Sequence, residues 1–133
     1  GAGPTTAPAR RLKTQINENA AAAAFWSDLP EANHNEICGW PRGRALAPLS
    51  AVFLDDPDQH PRIHRRIDLT AAEAEGAGAP VVRVESRGES RLERVLSLVM
   101  LGDLASVYLA VLDGVDPTPA EPLDRFKAAL AKP

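Results

Sequence analysis

The chain has 133 residues, 44% hydrophobic and 25% charged, which suits one folded domain and excludes wholesale disorder. A net charge of -3 and a pI near 5.6 provide no general field for nucleic acid or an acidic membrane surface. The lone Cys38 excludes an internal disulfide, has no Cys or clustered His partner for zinc, and makes a reducing cytoplasm the expected compartment.

The first eight residues, GAGPTTAP, read as a flexible leader without the basic-then-apolar layout of a signal peptide; the missing initiator Met points to a processed or excised chain. A helix is predicted from about residue 8 to residue 27, stopped by Pro30, with Leu12, Ile16, Asn19, Ala20 and Ala23 on one face. Residues 29–47, punctuated by Pro30, Gly39, Pro41 and Gly43, read as loop with a short helical turn near 33–37. LSAVFL (49–54), closed by Asp55, Asp56 and Pro57, has the form of a buried parallel strand. A helix follows over 61–77, where Thr70 and Glu73 match a capping box and allow a break. PVVRVE (80–85) is the second strand. Ser90 and Glu93 then open a helix over 91–113 that Gly114 closes, and residues 122–131 form the last helix.

Alternating elements point to an α/β fold with a parallel sheet, and residues 9–133 are read as its single domain. The stretch 95–112 approaches membrane-span length, yet the mid-run Asp103 favours a buried helix of a soluble protein. That helix is apolar on nearly every side and therefore needs cover on nearly every side. Two strands and this chain offer too little, so more sheet, a partner subunit or both are expected. Leu96, Val99, Met100, Leu104 and Val107 are the residues assigned to the covered surface, at roughly 2–5 kcal/mol each on truncation if fully buried.

Several chemistries can be set aside. There is no G-x-S-x-G elbow, Cys-His pairing or Walker loop. His60 and His64 have i, i+4 spacing, but no Glu stands beside His60 and Pro61 puts it at a helix edge, so they read as solvated histidines. Arg62, Arg65 and Arg66 suit a phosphate, yet on an amphipathic helix they read as a solvated face. The stretch NENAAAAAFWSDLPEANHNEICGW (17–40) stands apart, with Asn, Glu and His crowded at both ends of an alanine run. From the residues alone, Glu18 is a surface carboxylate and His34 a loop histidine, or the two clusters are halves of one site.

The segment KTQINENA…FW…LPEANHNEICGW (13–40) resembles the signature of the bacterial and archaeal bifunctional phosphoglucose/phosphomannose isomerases. The similarity continues through FLDDPDQHPRIHRR, GESRLERVLSLVMLGDLASVYLAVLDGVDPTP and EPLDRFKAAL, in order and at near-uniform spacing. It corresponds to that family's C-terminal sugar-isomerase (SIS) lobe and implies a three-layer αβα, flavodoxin-like parallel sheet flanked by helices. It also implies a dimer, an N-terminal SIS lobe that holds the sugar phosphate, and no metal or organic cofactor. By the same resemblance Glu18 is the catalytic base, His34 assists ring opening across the dimer interface, and Lys127 contributes from the terminal helix.

The implied reaction interconverts glucose 6-phosphate or mannose 6-phosphate with fructose 6-phosphate. A histidine moves the ring-opening proton, and one carboxylate carries a proton from C2 to C1 through a cis-enediolate. Lys127 stabilises the enediolate oxygen. Asn17, Asn19 and Asn33 are then expected as substrate-binding neighbours; Asn17 and Asn19, flanking Glu18, are neutral donors that orient the acid in a partly desolvated cleft. Two departures stand out: plain alanines at 21–24 where the family usually has Lys and Pro, and the lack of the Ser/Thr-rich phosphate loop, which predicts an inactive isolated chain. The alternatives are a noncatalytic SIS module that binds sugar phosphates or mediates dimerisation, and an SIS regulator of nucleic acid. The latter has no helix-turn-helix or basic region here.

Overall fold

A computed structural model describes residues 1–132; Pro133, the last residue of the expected domain, and the side chains at positions 44 and 46 lie outside the described residues. The elements run α1 (Thr6–Asn19), α2 (Trp40–Leu46), β1 (Ala51–Asp55), α3 (Pro61–Gly76), β2 (Val81–Glu85), α4 (Arg91–Leu112) and α5 (Glu121–Leu130), with single 3-10 turns at Gly3–Thr5, Glu31–Asn33 and Glu36–Gly39. β1 and β2 pair in parallel, Ala51 opposite Val81 through Asp55 opposite Glu85. α3 is the crossover between them, as parallel pairing requires.

Strand alternation decides what meets α3. Ala51 and Phe53 point one way and pack with Ile63, Ile67 and Ala74 of α3; Leu29 and Ala2 close one end of this core, Ala79 and Trp40 the other. On the opposite face Leu54 is buried, but Val52 and its partner Val82 are about half exposed. α3 runs unbroken through Thr70, whose hydroxyl donates to the Arg66 carbonyl instead of opening a new helix. α2 occupies a stretch expected as loop. Pro41 falls in its first turn, where a missing N–H costs nothing, so the proline starts the helix.

Residues 1–8 are not a flexible leader in this fold. Ala2, Thr5 and Pro8 are buried, and the Thr5 hydroxyl donates to the Leu54 carbonyl of β1 at 2.9 Å while accepting from the Ala2 N–H at 2.8 Å. The leader reading relied on composition, and composition is blind to a small side chain filling a strand end.

The predicted helix over the alanines is also corrected. α1 ends at Asn19, and Ala21 takes a left-handed φ of 50°. The Asn17 side chain explains the turn: its Nδ2 donates to the carbonyls of Ala22 at 2.8 Å and Ala24 at 3.5 Å, folding the alanines back against the helix end. Left-handed backbone costs an L-residue roughly 1–2 kcal/mol, so tertiary bonding here overrides the strongest helix propensity.

α4 is long and apolar enough to cross a membrane by length and composition. Ser90 and Glu93 start it with the predicted capping box, and Gly88 precedes them because a Cβ there would lie 2.5 Å from that of Glu93. Its buried stripe is Arg94, Leu98, Gly102, Ser106 and Ala110. This stripe meets α1: Leu12 sits over Gly102, Asn19 donates to Ser106, and Arg11 clasps the Asp103 carboxylate with both Nε and Nη2. Leu96, Met100, Leu104 and Val107, assigned to a packed surface, are all exposed in this chain, and Val99 is half-buried. The helix lacks cover on its outer face, as its all-round hydrophobicity anticipates.

Candidate functional site

The end of α1 carries the first polar cluster. Asn17 is committed to the alanine carbonyls and Asn19 to α4, where its Nδ2 donates to Ser106 Oγ at 2.8 Å and Ser106 Oγ donates to the Asp103 carbonyl at 2.7 Å. Glu18 lies between them, exposed, with no side-chain hydrogen bond or ion pair among the described residues. Its neighbours fix the backbone on both sides and leave the carboxylate free.

The second cluster repeats that pattern in a loop. The Asn33 Nδ2 donates to Thr70 Oγ1 and its Oδ1 accepts from Arg66 Nη1 at 3.3 Å, tying the turn to α3. Asn35 donates to Glu31 at 3.1 Å and accepts from the Glu36 N–H, while the Ser27 hydroxyl donates to the Glu36 carboxylate. His34 is exposed, and its ring has no hydrogen-bond partner among the described residues. With Pro30, Glu31, Asn33 and Arg66 it lines a depression of about 310 Å³.

Lys127 is on α5, every residue of which is exposed, and its ammonium forms no ion pair among the described residues. No hydrogen bond or ion pair joins Glu18, His34 and Lys127 within the described residues. Among the described residues no partly desolvated cleft forms around Glu18, which is exposed. The expected substrate-binding asparagines have their side-chain amides engaged by the fold, which makes Asn17, Asn19 and Asn33 anchors here. The two histidines of HPRIH are likewise occupied: His60 caps α3, accepting from the Arg62 N–H, and His64 lies 3.1 Å from the Asp55 carboxylate.

Sequence reasoning missed the most buried charge among the described residues. Asp56, read only as a strand terminator, accepts from Ser86 Oγ at 2.7 Å, Arg94 Nε at 3.0 Å and the Asp58 N–H at 3.0 Å. Arg94 also bonds the Asp58 carboxylate and donates to the Glu89 carbonyl at 3.0 Å. Burial pushes the Asp56 carboxyl upward, but the bonds from Ser86, Asp58 and Arg94 outweigh it and hold the group below the usual carboxylate range. The signal available was an Asp directly after a strand, at the carboxyl edge of a parallel sheet, with an Arg one turn into the helix after the next strand.

The family described as bacterial phospho-glucose isomerase C-terminal SIS domain matches residues 1–130. Among relatives, a bifunctional phosphoglucose/phosphomannose isomerase of Caldicellulosiruptor bescii is 40% identical over 98% of this chain and 39% of its own length. Its counterpart in Aquifex aeolicus is 38% identical over 93% of this chain and 39% of its own. The chain therefore spans about 39% of the length of these relatives. A solved structure described as a glucose-6-phosphate isomerase like protein from Thermus thermophilus superposes with a TM-score of 0.69, covering 96% of this chain and 41% of that one at 22% identity. The fold is thus the expected SIS-type α/β arrangement.

Proposed function

The chain belongs to the bacterial phosphoglucose isomerase C-terminal SIS-domain family, and from that membership we propose that it is the C-terminal lobe of a larger aldose–ketose isomerase. The reaction interconverts glucose 6-phosphate or mannose 6-phosphate with fructose 6-phosphate. One observation carries the reading: in both polar clusters the neighbours are bonded into the fold, while one proton-transferring group in each, Glu18 in the first and His34 in the second, is left exposed and unpaired among the described residues.

In this reading His34, supplied by a second copy of the chain, transfers the proton that opens the sugar ring. Glu18 then takes the proton from C2 and returns it to C1, through a cis-enediolate, and a positioned base of this kind contributes about 10²–10⁴ in rate. Lys127 arrives on α5 to stabilise the enediolate oxygen. The N-terminal SIS lobe holds the phosphate and, with the second copy, excludes water from Glu18. The enzyme works in the cytoplasm, in keeping with its single cysteine.

The test is Glu18→Gln in the complete enzyme. Turnover is expected to fall at least about 10²-fold with hexose 6-phosphate binding retained; unchanged turnover would end the Glu18 assignment. The chain by itself is expected to show no isomerase activity in a coupled assay, because it lacks the Ser/Thr-rich loop that holds the sugar phosphate. The exposed apolar face of α4 favours one second reading, a noncatalytic module that binds sugar phosphates or mediates dimerisation. A complete wild-type protein that binds the hexose phosphates and turns none over would establish it.

A further inference from the structure

We propose that Thr70 and Arg66 of α3 are positioning residues for His34, acting through Asn33. The inference rests on His34 having the role given above and adds what sets its place. His34 caps the single 3-10 turn Glu31–Asn33, its N–H donating to the Glu31 carbonyl at 2.8 Å, so its place in the molecule follows from whatever anchors that turn. Asn33 is the adjacent residue, and both ends of its amide are held by α3: Nδ2 by Thr70 Oγ1, Oδ1 by Arg66 Nη1.

The triangle closes on itself. Thr70 Oγ1 donates its one proton to the Arg66 carbonyl at 2.7 Å and so is left an acceptor for Asn33. Thr70 is buried, beside Ile67, Ala71 and Ala74 on the face of α3 that makes the core, so the anchor is as rigid as the core. Arg66 lies at the surface and lines the same depression as His34. Arg62 and Arg65, the other arginines of that helix, make no side-chain hydrogen bond among the described residues. That contrast separates Arg66 from an ordinary solvated face. A planar amide gripped at both ends fixes the orientation of the peptide that carries His34, and displacement of a catalytic group by about 1 Å costs up to roughly 10²-fold in rate.

The experiment is a double-mutant cycle in the complete enzyme, with Thr70→Val, Arg66→Gln and His34→Gln measured singly and Thr70→Val and Arg66→Gln each combined with His34→Gln. Thr70→Val keeps shape and removes the hydroxyl; Arg66→Gln is at the surface and spares the core. Each is expected to lower kcat, Thr70→Val by about tenfold, with KM within about twofold, and Thr70→Ser to restore the rate. In the His34→Gln background neither change is expected to slow turnover further, because its route of action is gone. A general structural defect would instead persist in that background, and a phosphate-binding role for Arg66 would appear as raised KM at unchanged kcat; either result overturns the proposal. If His34→Gln slows turnover while Thr70→Val and Arg66→Gln run at the full rate, the positioning role fails alone. If His34→Gln itself runs at the full rate, the reading beneath it fails.

Discussion

α4 has two faces that differ in the opposite sense from their hydrophobicity. The buried face, which meets α1 at Gly102 and Ser106 and the end of β1 through Arg94, is Arg94, Leu98, Gly102, Ser106 and Ala110, mostly small or polar; the face left open carries Leu96, Met100, Leu104, Val107, Tyr108 and Val111. Close packing explains the inversion. Two helices that approach until Leu12 lies on Gly102 need small side chains at the seam, whereas a broad surface of large ones needs a broad body against it. The buried face of a helix is therefore chosen by what packs against it and not by bulk alone.

The sharpest way to break that contrast is Arg94→Ala. It strips the buried Asp56 carboxylate of its cation and is expected to cost about 3–5 kcal/mol, read by urea unfolding. Next comes Gly102→Val, which drives methyl groups into Leu12 and is expected to cost about 1–3 kcal/mol; Gly102→Ala, meeting Leu12 Cδ1 at 3.3 Å, is expected to be milder. Asn19→Ala removes one interhelical bond, to Ser106, at about 1 kcal/mol. On the outer face, Leu104→Ala is expected to change the stability of this chain by no more than about 0.5 kcal/mol. In the proposed two-lobe protein, if the second lobe or copy covers that face, the same truncation is expected to cost about 2–5 kcal/mol, and equal values in the two settings would dissolve the contrast.

Acid sharpens it further. The folded-state pKa of Asp56 lies below its unfolded value, so the associated stability is fully present above the unfolded value, about 3.9. It is lost as pH falls through the depressed folded value. Unfolding midpoints measured downward from pH 5 are expected to drop below about pH 4, and Asp56→Asn is expected to flatten that part of the profile.

Much of the element order was legible because it depends on local signals: the Ser90–Glu93 box, the two β-rich runs and the proline at the start of α3. The alanine stretch was not, since one amide, that of Asn17, overrides five helix formers by reaching their carbonyls. Residues 1–8 were not, because nothing local announces that Thr5 will meet Leu54. At the candidate site, the positions of Glu18 and His34 came from a resemblance, whereas the reason they stand free is geometric. It emerges only when Asn19 is seen on Ser106 and Asn33 on Thr70, partners 87 and 37 residues away in the chain.

Val52 and Val82, opposed in register on the open side of the sheet, have a cellular consequence. Hydrocarbon left bare on a strand pair is what chaperones seize in nascent polypeptides, and quality control does not distinguish unfinished from unaccompanied. Expressed by itself, the chain is expected to co-purify with such holdases and to shed them when a lobe that covers these valines is supplied.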